Sequence, residues 1–588
     1  MFVFGDGARV ETPQRQLGRV VAALDRARDA GSGLDRHDHL VEALIEAGEF
    51  AQGAIDAEFE ITGRDTASPL RDAATKLLIA LAAEIRRSWA AGFPAGPVDP
   101  ALRRRIEALA ALPLPDAIRC RLAEGFAFYA LYPESYLEAA TALAGIRPLQ
   151  VIGIRSIGLP LAAVVAEACG AEGLVSVRPV GHPFRRRLAV DPALTAELLR
   201  DADATFAIVD EGPGLSGSSF GAVADHLESH GVERGRIRFF PSHGGGPGPQ
   251  ALPGHCERWW SAARHWMDFD TLALQPRQPW HGLGAWVEDL TGGPGRLEDL
   301  FAGTWRAGHG RPPPQWPPSY RQQERRKFLL DTGGGRRFLL KFAGLGRHGR
   351  DKLRRAKALH AAGFTPRPVG YRRGFLVERW IGDARPLGPD PGDRPALLRH
   401  LAAYLGFRAR HLPAEPGSGA TLATLAEMLR ENAAEALGED AGRAFRRLSM
   451  LADGLEDRVR RIETDNRMHR WEWLAGPNGA LLKTDALDHC AAHDLVGCQD
   501  MAWDVAGAAI EFDLDEAEEA ELCALAGREA GRPVDLGLLR FLAPCYAAFQ
   551  LGSWTMARAS DGDPDEAMRL DREIARYARH LRRFLSRL

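Results

Sequence analysis

Apolar residues recur three and four apart over 17–27, 40–45 and 70–89, with Arg and Glu between them, which predicts amphipathic helices. A Pro/Gly break covers 92–99, and the helical spacing resumes over 100–112. From 148 the pattern changes. Short unbroken apolar runs at 151–154, 173–177, 207–209 and 237–240 alternate with helical stretches at 158–169, 191–199 and 220–230. Such runs read as buried parallel strands, so a doubly wound sheet is expected. A third pattern starts near 326. Strands 327–331 and 336–342 flank the turn Thr332-Gly333-Gly334-Gly335, a hairpin signature. A helix at 350–362, a strand at 374–380, helices over 393–460 and two short strands at 470–474 and 480–484 follow.

The fold class expected is multidomain, α/β plus α+β. It divides into a helical domain at 1–147, a parallel-sheet domain at 148–250, a Trp/Pro/Gly-rich connector at 251–318 and a two-lobed domain at 319–588, whose lobes meet near 384. The connector's Trp259, Trp260, Trp266, Trp280 and Trp286 are too aromatic for a solvated linker and are expected to bury a contact. The aromatic run 126–133 is expected to pack against the sheet that follows it.

Composition narrows the function classes. With 75 Lys+Arg against 78 Asp+Glu the net charge is −3, so no global field recruits nucleic acid or an anionic membrane. The seven cysteines are scattered and fit a reducing compartment without a zinc ligand set. No signal-peptide build opens the chain and no apolar run spans a bilayer, so a cytoplasmic protein acting on small molecules is expected.

The densest chemistry lies at 207–220. An apolar run ends in Asp210 and Glu211, a loop of small residues runs from Gly212 to Ser219, and a helical segment begins at Phe220. Acids at the carboxyl end of a buried strand stand where open α/β sheets bind ligands. Small residues at a helix N-terminus offer backbone N–H groups to a phosphate. A ligand with both hydroxyls and phosphates suits that pairing. The stretch resembles the phosphoribosyl-pyrophosphate motif of type I phosphoribosyltransferases. The resemblance implies a phosphoribosyltransferase-like core using Mg²⁺ and phosphoribosyl pyrophosphate. Asp210 and Glu211 would hold the ribose hydroxyls, and Ser216, Gly217, Ser218 and Ser219 the 5′-phosphate. Arg155, Ser156, Arg185 and Arg186 would stabilise departing pyrophosphate, with the basic loop 178–187 as a mobile hood. Four residues separate the acids from Ser216-Gly217, where the family has three. An ordinary strand-ending turn uses the same residue types.

The C-terminal pattern of strand, lysine, helix and strand resembles the small lobe and hinge of aminoglycoside-phosphotransferase and choline-kinase-like enzymes. That likeness implies a bilobal, kinase-like domain binding ATP and Mg²⁺. Lys341 would hold ATP phosphates, and backbone near Glu378 would read adenine. Asp465 would orient the acceptor, Asp485 would hold Mg²⁺, and Asp504 would brace the catalytic loop. The sequence departs from the family in three places. Arg470 stands where a metal-binding Asn belongs, leaving Asn466 or His469 as stand-ins. The helix after Lys341 offers Asp351 as its only early acid, not the usual Glu. Asp488, His489, His493 and Asp494 fill a lengthened stretch before Asp500, and their spacing fits hydrogen-bonded loop residues better than a zinc site. A two-activity transferase is therefore expected, with a nucleotide-sensing protein that keeps both folds as the competing class.

Overall fold

The computed structural model describes residues 7–171, 173–249, 251–310, 312–388, 392–476, 479–491 and 496–587. Helices α1 (Pro13–Arg28), α2 (Gly33–Thr62), α3 (Pro69–Ala90) and α4 (Pro100–Ala110) form the N-terminal unit. Each begins where its sequence supplies a cap: the side chains of Thr12, Ser32, Ser68 and Asp99 accept the N–H of Arg15, Asp35, Arg71 and Ala101. The helical expectation omitted a small ribbon, in which β1 (Ala8–Glu11) pairs antiparallel with β2 (Ile118–Arg121). Helices α5 (Glu124–Phe128) and α6 (Pro133–Ala140) lead into the sheet.

The sheet domain runs β3 (Leu149–Ile154), α7 (Gly158–Cys169), β4 (Gly173–Val177), the hairpin β5 (Val180–His182) and β6 (Arg185–Arg187), α8 (Pro192–Leu198), β7 (Thr205–Val209), α9 (Ser218–Ser229), β8 (Ile237–Phe240), α10 (Pro253–Ser261) and β9 (Ala263–Arg264). Its main sheet has the order β4-β3-β7-β8-β9 with every pair parallel. The fifth strand was missed because two residues between tryptophans carry no strand pattern. Both faces are buried, which is why the strands read as unbroken apolar runs. Ile152, Ile154, Phe206 and Ile208 meet Phe220, Val223 and Trp259 on one face, and Val151, Ala207 and Val209 join α7 and the N-terminal helices on the other. A Cβ on Gly158 would come 2.5 Å from the Val209 carbonyl, so α7 starts against β7 only because that residue is glycine. β3 and β7 are neighbours whose connections leave to opposite faces, and the crevice opens between their carboxyl ends.

Helix α11 (Leu283–Thr291) ends the connector, where only Trp259 and Trp286 of the five tryptophans are fully buried; Trp260, Trp266 and Trp280 are exposed by 59%, 42% and 41%. Trp286 packs against Tyr132 with ring centroids 5.5 Å apart and planes tilted by 42°. The sheet of the C-terminal region draws in a strand from before residue 319. Strand β10 (Arg296–Asp299) pairs with β11 (Lys327–Asp331), which forms the expected hairpin with β12 (Arg337–Phe342). After α12 (Arg347–Ala361), β13 (Pro368–Arg372) and β14 (Phe375–Arg379) complete a five-stranded sheet ordered β10-β11-β12-β14-β13. The Pro-rich stretch expected to mark a boundary is instead part of a strap between the first two strands. The strap crosses to the large lobe, where Arg306 pairs with buried Glu566 at 2.7 Å and the Ser319 N–H donates to the same carboxylate at 2.7 Å.

The large lobe comprises β15 (Arg385–Pro386), α13 (Arg394–His411), α14 (Leu422–Leu437), α15 (Glu439–Glu456), β16 (Trp473–Ala475), β17 (Leu481–Lys483), α16 (Met501–Glu511), α17 (Glu516–Ala530), α18 (Leu536–Ser560) and α19 (Pro564–Leu585). The N-terminal unit grips the small lobe. Glu46 and Glu49 of α2 meet Arg347 at 2.7 and 2.8 Å, and Glu42 pairs with Arg350. Arg373, at the β13–β14 turn, reaches Asp38 at 3.2 Å and Glu134 at 3.1 Å. No helix among the described residues is long and apolar enough to cross a membrane.

Candidate functional site

Two clefts gather residues singled out in the sequence. The first lies at the carboxyl edge of the parallel sheet, lined by Ser156, Arg186, Asp210, Glu211, Ser219 and His243 among others. Asp210 accepts the Glu211 N–H at 2.9 Å, and the Tyr136 hydroxyl donates to the Asp210 carbonyl at 2.8 Å. Glu211 lies against Gly125 of α5, where a Cβ would approach its Oε1 to 2.8 Å. The N-terminal unit therefore forms one wall of this cleft.

Several expected ligand groups are otherwise engaged. The Arg155 guanidinium is fully buried and pairs with Asp56 at 2.9 Å and with Asp65, so it is not available to pyrophosphate. Burial pushes Asp56 up, but Arg178 and Arg155 outweigh it and hold the carboxyl below its ordinary value. Arg178 ties the same loop by donating to the Arg155 carbonyl at 2.7 Å. Ser216 donates to the Pro183 carbonyl at 2.8 Å and Ser218 bonds the same oxygen, so these hydroxyls anchor the β5–β6 hairpin onto the motif loop. Arg186 reaches the cleft, whereas Arg185 is exposed on the hairpin's other side. The four-residue spacer is accommodated by a turn in which the Gly217 N–H donates to the Pro213 carbonyl at 2.8 Å, with Gly217 at φ 64°. Leu215 is left 68% exposed.

His243 was missed because it sits in a stretch of loop composition. Its Nδ1 lies 3.0 Å from the Gly245 N–H and accepts it, which puts the proton of the neutral ring on Nε2, facing Gly212. Burial lowers its pKa, so the ring is neutral near pH 7.

The second cleft lies between the lobes of the C-terminal domain. Leu339 and Lys341 on β12 stand opposite Glu378 and Leu376 on β14, and the strand pleat puts all four on one face. Leu339, Lys341, Glu378, Ile381, Leu474 and Asp485 line the cleft. Burial pushes the Glu378 carboxyl up to about 7, with Lys341 opposing.

Lys341 and Asp485 meet across the lobes, as an ammonium–carboxylate contact. Lys341 also contacts Asp488, and Asp488 in turn pairs with Lys352 of α12 at 3.0 Å. The helix face that lacks the usual Glu thus presents a buried lysine, while Asp351 is exposed. Burial pulls Lys352 down from its ordinary value despite Asp488. Asp485 adopts φ 54°, a strained conformation for a residue other than glycine.

The expected acceptor-orienting residue is closed off. The Asp465 side chain has no solvent exposure; it accepts the Tyr404 hydroxyl and lies 3.4 Å from Lys483 and 3.8 Å from Arg408. Burial pushes Asp465 up, but Lys483, His489 and Arg408 hold it well below the carboxylate range. Asp504 does brace the loop, accepting the N–H of Asp465 at 2.7 Å and of Asn466 at 2.9 Å. Neither stand-in for the absent Asn contacts Asp485: the Asn466 amide donates to the Gly497 carbonyl at 2.7 Å, and His469 stacks on Trp471. His489 lies between the two acids, its Nδ1 3.8 Å from Asp465 and its Nε2 3.7 Å from Asp485. His493 and Asp494 lie outside the described residues.

Among the described residues no group of three or more His, Cys, Asp or Glu is arranged to hold a metal. Asp485, exposed at the mouth of the cleft, offers a hard oxygen donor, which fits Mg²⁺ completing its shell with ligand phosphates and water.

No family model and no curated protein matches the chain. Solved structures that resemble part of it include a choline kinase from Streptococcus pneumoniae, at 18% identity and TM-score 0.32, covering 43% of this chain and 90% of that one. A choline/ethanolamine kinase family protein from Mesorhizobium loti gives 15% identity and TM-score 0.31, with coverage of 44% and 90%. A spectinomycin phosphotransferase, solved with ADP and spectinomycin, gives 12% identity and TM-score 0.31, with coverage of 51% and 93%.

Proposed function

We propose that the C-terminal domain is a nucleotide site for phosphoryl transfer to a small molecule, and that the parallel-sheet cleft binds a phosphorylated sugar such as phosphoribosyl pyrophosphate. The meeting of Lys341 and Asp485 from opposite lobes carries the first part. Lys341 would neutralise phosphate oxygens, Asp485 would hold the Mg²⁺ bridging them, and the apolar wall of Leu339, Ile381 and Leu474 would sandwich the base. Bound Mg²⁺ would screen the phosphate charge that builds up in transfer.

Calorimetry of the full chain tests this. Lys341→Ala is expected to weaken ATP binding even in EDTA, whereas Asp485→Asn is expected to matter only with Mg²⁺. Unchanged ATP affinity in both would refute the nucleotide site.

The second part rests on the placement of Asp210, Glu211, Ser156, Ser219 and Arg186 around one crevice. With Arg155 committed elsewhere, Arg186 is the arginine among those expected that faces a departing pyrophosphate. The double change Asp210→Asn, Glu211→Gln removes charge-assisted hydrogen bonds to ribose hydroxyls, each about 1.5–3 kcal/mol. It is expected to weaken phosphoribosyl pyrophosphate binding with the melting temperature kept. Undiminished binding would reduce the motif to a turn.

One observation favours a second reading, a nucleotide sensor without phosphotransfer: Asp465 is enclosed rather than facing an acceptor. ADP release in a metabolite screen separates the two.

A further inference from the structure

We propose that Asp488 is the positioning residue for Lys341, that Lys352 of α12 fixes Asp488 in turn, and that this relay leaves Asp485 available to a cation. The inference rests on the nucleotide-site reading above and deepens it.

The two acids on Lys341 differ in how they are held. The Asp488 side chain is 6% exposed, and its second oxygen is taken by Lys352, itself 3% exposed. One helical step on, at i+3, Arg355 donates to the carbonyl of Leu487, the residue before Asp488, and pairs with Glu463 at 2.8 Å. A single face of α12 therefore grips the loop at two successive residues, by side chain and by backbone. Asp485 is different: its side chain is 39% exposed at the mouth of the cleft. Asp488 is the fixed partner and Asp485 the exchangeable one.

The charges explain why both acids are needed. Two lysines, the half-buried Lys341 and the buried Lys352, face two aspartates. When a metal-bound phosphate arrives, Asp485 transfers to the metal and Lys341 turns to phosphate oxygens, while Asp488 still compensates both ammonium groups. Without Asp488, Lys341 retains Asp485 and the carboxylate is withheld from the metal. The helix thus supplies the cation and the metal loop supplies the acid, the reverse of the arrangement its family resemblance led one to expect.

The test measures ATP affinity of the full chain by calorimetry, in EDTA and in excess Mg²⁺, and takes the ratio as the readout. The parent is expected to bind more tightly with Mg²⁺. Asp488→Asn and Lys352→Met are each expected to cut that gain on the order of tenfold, as loss of a residue supporting a metal ligand does. The double variant is expected to lose no more than either single one, because both changes break one relay, and Lys352→Arg is expected to keep the gain. A parental Mg²⁺ gain in Asp488→Asn, or losses that multiply in the double variant, would overturn the proposal. Should Asp488→Asn fail to fold, Lys352→Met against Lys352→Arg decides on the same ratio. If Lys341→Ala binds ATP as the parent does in EDTA, the nucleotide reading itself falls, which is a separate result.

Discussion

Glu378 shows how one side chain can mark a site. Its carboxyl lies on the cleft face of β14, and burial raises it to about 7 from 4.5. A carboxyl whose folded-state pKa is raised stabilises the fold fully below pH 4.5, and that contribution is lost as pH rises through about 7. The loss is on the order of 3 kcal/mol. Glu378→Gln is expected to remove that fall in unfolding free energy between pH 4.5 and about 7, and with it the matching fall in melting temperature. If the parent and variant profiles coincide, the carboxyl is solvated. At the same scale, Arg155 illustrates a limit. An arginine after the first sheet strand suggests an anion ligand, yet Asp56 and Asp65 come from a different domain and take it.

At the scale of elements, the strap between β10 and β11 joins the C-terminal sheet to a strand from before residue 319. Its Pro-rich composition is that of a linker, but its Ser319 and Arg306 are fastened to Glu566 of α19. A fragment beginning at Ser319 would lack β10 and expose the backbone edge of β11. It is expected to unfold at lower urea, or to aggregate, compared with one beginning at Gly293, since unpaired strand edges template association. Equal midpoints for the two fragments would show that β10 adds nothing to the sheet.

At the scale of the whole molecule, α2 touches both clefts' supports. Glu42, Glu46 and Glu49 hold α12 through Arg347 and Arg350, and Asp56 nearer the other end holds Arg155 and Arg178. Arg373 fastens the small lobe to the same unit. Its guanidinium is fully buried between Asp38 and Glu134 and sits 5.0 Å over Trp286. Arg373→Ala would remove the cationic partner of the buried Glu134 carboxylate and leave it with His37 at 2.6 Å, at a cost of about 3–5 kcal/mol. Urea unfolding followed by tryptophan fluorescence measures it, and a loss under about 1 kcal/mol would mean that the contact is only a surface latch.

Local pattern in the chain determined most of the elements. Unbroken apolar runs marked four sheet strands because both faces of that sheet are covered, and apolar spacing of three and four marked the N-terminal helices because each buries one face. Asp210, Glu211, Lys341 and Asp485 could be singled out in the sequence because each stands at or near a strand end, and Asp504 because it lies in the first turn of a helix. The rest depended on partners distant in sequence. Strands β9 and β10 are too short or too polar to read without the neighbours they pair with. Whether Arg155, Ser216 or Asp465 faces a ligand depends on Asp65, Pro183 and Tyr404, which only folding brings alongside. Nothing in the sequence singled out Lys352, and Asp488 read as a hydrogen-bonded loop residue. Packing excluded water from both and left each the other's charge to satisfy it, and that pairing is a property of the tertiary structure alone.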